Sequence, residues 1–113
     1  MAASTGYSYI AAGSANQDAQ AVKASAGTLY GWSVTNTSGT FLYLKLYNLA
    51  SGATSAGTPL VRLGVRGGET LSVDLALGVT FGTGISHRIT SGVADTDASA
   101  AVANSMLVNL WYQ

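Results

Sequence analysis

The side chains that could do chemistry are few and scattered. His87 is the only histidine of the chain, which removes any site built from two imidazoles. A Ser–His–Asp triad would have to use His87 itself, and no Gly-x-Ser-x-Gly elbow accompanies it. Its alternation with Ile85 and Ile89 places it on an apolar strand face, where a hydrogen-bonded core histidine is the expected role. Asp95 and Asp97 offer two carboxylates where Ca²⁺ takes about six to eight oxygens, and the calcium-loop signature is missing, so they read as loop residues. Asp74 and Glu69 are flanked by Arg62 and Arg66, and ion pairing across adjacent strands accounts for all four. The stretches Gly64 to Gly68 and Gly78 to Gly84 are followed by neither a βαβ unit nor a Gly-Lys-Ser/Thr, and they read as turns. Asn36-Thr37-Ser38 fits the glycosylation acceptor pattern but reads better as a turn. No catalytic residue, cofactor-binding residue or metal ligand is assigned: the chain reads as a non-enzyme without a cofactor.

Binding chemistry is carried by aromatics. Tyr30, Trp32, Phe41, Tyr43, Tyr47, Trp111 and Tyr112 lie on strand-like runs. Such side chains stack sugars in lectin-like sandwiches, and they anchor protein interfaces, where Tyr and Trp are enriched. Sugar sites pair an aromatic platform with several polar groups, and only Lys45 joins the Tyr43/Tyr47 face, so an interface is the favoured role. With the three large side chains near the N-terminus, the candidate interface set is Tyr7, Tyr9, Ile10, Phe41, Tyr43, Tyr47 and Trp111.

The elements that must position them are short and of period two. Eight runs are expected as strands: residues 20–26, 28–36, 41–49, 59–65, 70–76, 79–81, 85–90 and 105–112. In FLYLKLYN, Leu42, Leu44 and Leu46 share one face, the expected core face, and Phe41, Tyr43, Lys45 and Tyr47 share the other. The last run carries Met106, Val108, Leu110 and Tyr112 on one face and Leu107, Asn109 and Trp111 on the other, which predicts cover on both sides. Residues 36–39 predict a hairpin turn between the second and third runs, with further turns at 66–69 and 81–84. Pro59 begins a run, where its missing N–H is tolerated. The alanine-rich segment from Asp95 to Asn104 reads as a long loop with one turn rather than a helix. This pattern predicts an all-β protein, a single β-sandwich that is jelly-roll-like, with about eight short strands. Residues 1–17 are dominated by small side chains, with one strand-like island at 7–10, and read as an N-terminal arm that orders only against a partner, a disordered tail being the alternative; residues 18–113 read as the sandwich domain.

Composition bounds the partners. Charged residues make up 9% of the chain, against roughly 25% in an average soluble domain. Five Lys plus Arg balance five Asp plus Glu and form no basic stripe, so no nucleic-acid partner is expected. No run approaches the roughly 20 apolar residues of a membrane span, and the first dozen residues lack a secretory pattern, which predicts no membrane partner and a chain made in a cytoplasm. Zero cysteines exclude a disulfide framework. Very low charge combined with aromatic strand faces predicts self-association.

The order of these elements carries a resemblance. VKASAGTLYGWSVTNTSGTFLYLKLYN, then TPLVRLGVRGGETLSV, TFGTGISHRITSGVADTDASA and the ending VNLWYQ resemble small β-sandwich virion proteins of tailed bacteriophages, the group that includes head-decoration and capsid-cement proteins. The likeness spans residues 22–113 and contains no catalytic motif. It implies a non-enzymatic virion protein, a homotrimer that binds and stabilises the assembled lattice of the major capsid protein. The alternative is a tail- or fibre-associated carbohydrate-binding adhesion module.

Overall fold

In the computed structural model, which describes residues 4–14, 18–51 and 57–113, every regular element is a strand. In chain order these are β1 (Thr5–Ile10), β2 (Gln20–Lys23), β3 (Gly27–Asn36), β4 (Leu42–Tyr47), β5 (Val61–Val65), β6 (Thr70–Phe81), β7 (Ile85–Thr90) and β8 (Met106–Tyr112). Sheet A has the order β1-β8-β3-β6 and sheet B the order β2-β7-β4-β5. Antiparallel pairing therefore nests: β1 with β8, β2 with β7, β3 with β6 and β4 with β5. A long hairpin rolled around a core gives this order, and it is the jelly-roll form of the all-β sandwich.

Alternation decides which face goes inward. Leu42, Leu44 and Leu46 are buried as expected, and they meet Leu29, Val34, Met106, Val108 and Leu110 of sheet A in one core with Phe81, Ile85 and Ile89. Asn36 ends the inward row of β3. Its buried amide donates to the carbonyls of Thr40 (2.7 Å) and Val65 (2.8 Å) while its Oδ1 accepts from Ser38 N, so the acceptor-like triplet is a turn locked by its own side chain.

Three expectations need correction. Residues 36–39 do not close a hairpin, because β3 lies in sheet A and β4 in sheet B; the turns at 66–69 and 81–84 likewise pass between sheets. Turn chemistry marks a chain reversal and carries no record of which sheet receives the next strand. The runs 70–76 and 79–81 form one strand, β6, interrupted at Leu75–Gly78 while pairing with β3 continues on either side. Gly78, at φ +75°, supplies the left-handed conformation of that bulge. The segment read as an arm supplies β1, an edge strand of sheet A, in register with β8 from Thr5↔Tyr112 to Ile10↔Leu107. Its tyrosines outweigh the small residues around them: Tyr7 and Tyr9 turn inward and pack on the core, and Ala11 beyond them is buried. Residues 1–3 and 15–17 of the expected arm lie outside the described residues.

Candidate functional site

The groups that sequence alone would offer for chemistry are locked in place by the fold. His87 is buried on the inner face of β7, and its Nε2 lies 2.8 Å from the Tyr7 hydroxyl, with Tyr9 packed against the ring. Burial holds the imidazole down at about 4 and pushes Tyr7 above the ordinary phenol value. Asp18, also buried, accepts from the Ala12 amide and from the Tyr9 hydroxyl at 3.1 Å. Burial first, then the Asp18 charge, raise Tyr9 to about 12. This inner cluster fastens β1 and the chain after it to sheet B, and His87 is the hydrogen-bonded core residue that its alternation predicts.

On the outer face of sheet B three cations sit side by side in register, Arg62, Lys45 and Arg88 on β5, β4 and β7. The loop 91–99 folds over them. Lys45 is buried and donates to the carbonyls of Ala94 (2.6 Å) and Gly92 (3.2 Å), while Thr90 also donates to Gly92 O. Burial pushes the Lys45 ammonium below its ordinary value, Arg88 adds to this, and Asp97 and Asp95 oppose it. Arg62 makes a two-pronged bond to Asp95 at 2.6 and 2.7 Å, the only salt bridge among the described residues. That bond holds the Asp95 carboxyl below its usual range, and hydrogen bonds from Ser99 do the same for Asp97. The pairing expected among Arg62, Arg66, Glu69 and Asp74 is therefore not formed, because Arg62 and Asp74 lie on different sheets.

The candidate interface residues separate into two groups. Tyr7 and Tyr9 face inward onto the core, and Tyr47, on the outer face of sheet B, is only 1% exposed, so none of the three offers an open surface. Phe41 is 47% exposed and stacks on Tyr43 with ring centroids 5.9 Å apart, at one end of the outer face of sheet B. Ile10 and Trp111 are exposed on the outer face of sheet A. Of the two covers the sequence allows for Trp111, a sheet of its own chain or a neighbouring subunit, the first is not supplied by any strand among the described residues.

A recess lies on that outer face, and a bulge in β3 shapes it. Leu29 opposes Tyr112 of β8 and Val79 of β6, whereas Gly31 opposes Trp111 and Asp74, leaving Tyr30 unpaired. A residue inserted in this way turns its neighbour to the same side, and Tyr30, Trp111 and Asp74 come to line one hollow of about 490 Å³ with Ser4, Leu75 and Ala76. A second hollow of about 270 Å³ adjoins it, lined by Ser33, Ser72, Asp74 and Trp111. Gly31 lies between Asp74 and Trp111: a Cβ there would sit 2.6 Å from Val73 O, 3.4 Å from Asp74 Oδ1 and 3.5 Å from Trp111 Cε3. Sequence reasoning left Asp74 and Tyr30 out of the candidate set. The signal available was the outward alternation of Asp74 and Trp111 on strands flanking a Tyr-Gly-Trp triplet.

No family model, curated relative or solved structure matches the chain.

Proposed function

We propose that the chain is a non-enzymatic structural protein of a tailed-phage virion, a head-decoration or capsid-cement protein that forms a homotrimer and binds the assembled lattice of the major capsid protein. The resemblance of residues 22–113 to that class supports the reading. So does one structural observation, the scarcity of free charge on the folded surface. Of five basic and five acidic residues, Asp18, Lys45 and Arg88 are buried and Arg62 and Asp95 neutralise one another. A surface so nearly uncharged can be covered by protein with little ion desolvation, and interface centres are depleted in charge for the same reason.

Exposed apolar side chains are distributed accordingly. Phe41, Leu60, Val93, Val102 and Leu77 are all exposed, and Leu77 is 94% exposed at the tip of the β6 bulge. They lie on several sides of the sandwich, as contacts to more than one neighbour require. The Phe41–Tyr43 stack is the anchor assigned to the subunit contact. A protein that binds the assembled shell and not free subunits stabilises it by mass action, by about 2.7 kcal/mol per site at a hundred times Kd.

The test is removal and re-addition. Particles of the encoding phage should contain the protein at a copy number set by the lattice, and particles made without it should disassemble at lower temperature until purified protein is added back. Absence from gradient-purified particles, or an unchanged disassembly temperature, defeats the reading.

A further inference from the structure

The paired hollows on the outer face of sheet A are left unused by the decoration reading, and their lining describes a ligand of its own. We infer that they form a glycan subsite for a neutral, pyranose-containing saccharide, with Trp111 as the stacking platform and Asp74 as the acceptor for ring hydroxyls. The inference goes beyond capsid binding and stands on the isolated chain.

Four features of the groove carry it. Trp111 is 38% exposed, and the electron-rich face of an indole suits the weakly positive C–H face of a sugar ring. Asp74 is exposed and forms no salt bridge within the described residues. An ionised carboxylate only accepts hydrogen bonds, so its complement is a hydroxyl-rich or cationic ligand. Gly31 lets Asp74 and Trp111 come close together, since a Cβ there would meet the Val73 carbonyl and approach both side chains. Ser33 and Ser72, hydrogen-bonded to each other at 3.0 Å, continue the groove with groups that both give and accept.

A lysine or arginine side chain of another protein is the competing occupant, since it would pair with Asp74. The shape argues for the saccharide: two hollows share Asp74 and Trp111 and run on along the serine row, more room and more hydroxyl chemistry than one cationic head group uses. An anionic ligand is disfavoured because the lining contains an acidic side chain, Asp74, and no basic one.

Purified protein is applied to an array of neutral mono- and oligosaccharides containing glucose, galactose, mannose, rhamnose and N-acetylglucosamine, and any hit is titrated by tryptophan fluorescence. At least one saccharide should bind, with affinity reduced tenfold or more in both Trp111→Ala and Asp74→Asn, and unchanged in Thr96→Ala on the loop over the other sheet. Asp74→Asn preserves size at an exposed position, so its effect reads the groove and not the fold. No bound saccharide at millimolar concentration, or binding that both variants leave intact, overturns the inference. Binding of a polyarginine peptide that Asp74→Asn abolishes, with no saccharide bound, also overturns it and makes the groove a protein contact. None of these outcomes bears on whether the protein resides on the particle.

Discussion

Tyr7 and His87, 80 positions apart in the chain, share a 2.8 Å hydrogen bond and an edge-on ring contact with centroids 5.5 Å apart. The contact joins the first strand of sheet A to a central strand of sheet B through the core. The pairing also continues past β1, where Ala11 N donates to Met106 O and Asn104 N to Ala11 O. An N-terminal truncation is therefore a truncation of the sandwich itself. Removing residues 1–12 should unfold the protein or cost several kcal/mol, on the scale of about 3 to 5 kcal/mol for one large aromatic lost from a core. Tyr7→Phe should cost about 1 to 3 kcal/mol by leaving the imidazole without that partner. Urea midpoints measure both, and a truncated chain as stable as the full one would show that β1 adds nothing.

The same histidine sets a pH dependence. Its folded value of about 4 lies below the ordinary imidazole value of 6.5, so between those values the unfolded chain binds the extra proton and stability rises with pH. The stability due to neutral His87 is complete above about pH 6.5 and is lost as pH falls toward 4, by an amount on the order of 3 kcal/mol. Because no other histidine is present, His87→Gln should flatten the slope of unfolding free energy between pH 7 and 5. An equal slope in the variant would place the titration elsewhere.

Much of this architecture was legible in the sequence, and the gaps have physical causes. Leu42, Leu44 and Leu46 were assigned to the core because a strand has period two and nothing competes with that signal. The same alternation puts Lys45 and Tyr47 on the outward face, where the structure has them, but both are buried, Lys45 under the loop 91–99. Local pattern reports direction and not what arrives later from far along the chain. Tyr7 was misassigned for a related reason: its small neighbours argue against order, and its partner His87 belongs to another sheet. Tyr30 joined Asp74 and Trp111 only through a bulge, which shifts register by one residue and leaves no mark in period-two reasoning.

The loop over sheet B should depend on one buried ammonium far more than on the visible ion pair. Lys45 donates two hydrogen bonds to carbonyls of that loop from a fully buried position; hydrogen bonds from a charged group contribute about 1.5 to 3 kcal/mol each. Lys45→Ala should therefore destabilise by at least about 2 kcal/mol, and limited proteolysis should cut near Gly92 in that variant. Arg62→Ala removes only a solvent-screened pair and should leave the melting temperature nearly unchanged. The reverse ranking would mean that Arg62 and Asp95 hold the loop.

Two glycines of sheet A should respond in opposite ways to an added methyl group. Gly78 has φ +75°, and a Cβ there would collide with Thr28 Cγ2 and meet Tyr30 Cε1 at 3.0 Å. Gly78→Ala should cost at least about 1 kcal/mol and displace the Tyr30 ring from the groove. Gly6 has open space around its ideal Cβ, so Gly6→Ala should be neutral or slightly stabilising. Thermal unfolding of the two variants reads the contrast, and a neutral Gly78→Ala would mean that the bulge relaxes without strain.

Self-association is expected to run through the Phe41–Tyr43 stack. With Tyr47 buried and Tyr7 and Tyr9 turned inward, the aromatics open on the outer faces are Phe41 and Tyr43 on sheet B and Tyr30 and Trp111 around the groove of sheet A. The first pair lies beside Gly64, whose ideal Cβ would be 3.2 Å from the Tyr43 ring, so the aromatic surface is bordered by a position with no side chain of its own. That shape admits a neighbouring chain, and a trimer would cover the stack around its axis. Light scattering should give a mass near three times 11.4 kDa for the native chain. Tyr43→Glu should reduce it to a single chain while leaving the far-UV spectrum unchanged, because the half-buried ring lies outside the core and a buried carboxylate would oppose association alone. A native chain that stays monomeric at high micromolar concentration would remove the trimer from the proposal, and a trimer indifferent to Tyr43→Glu would move its contact to another face.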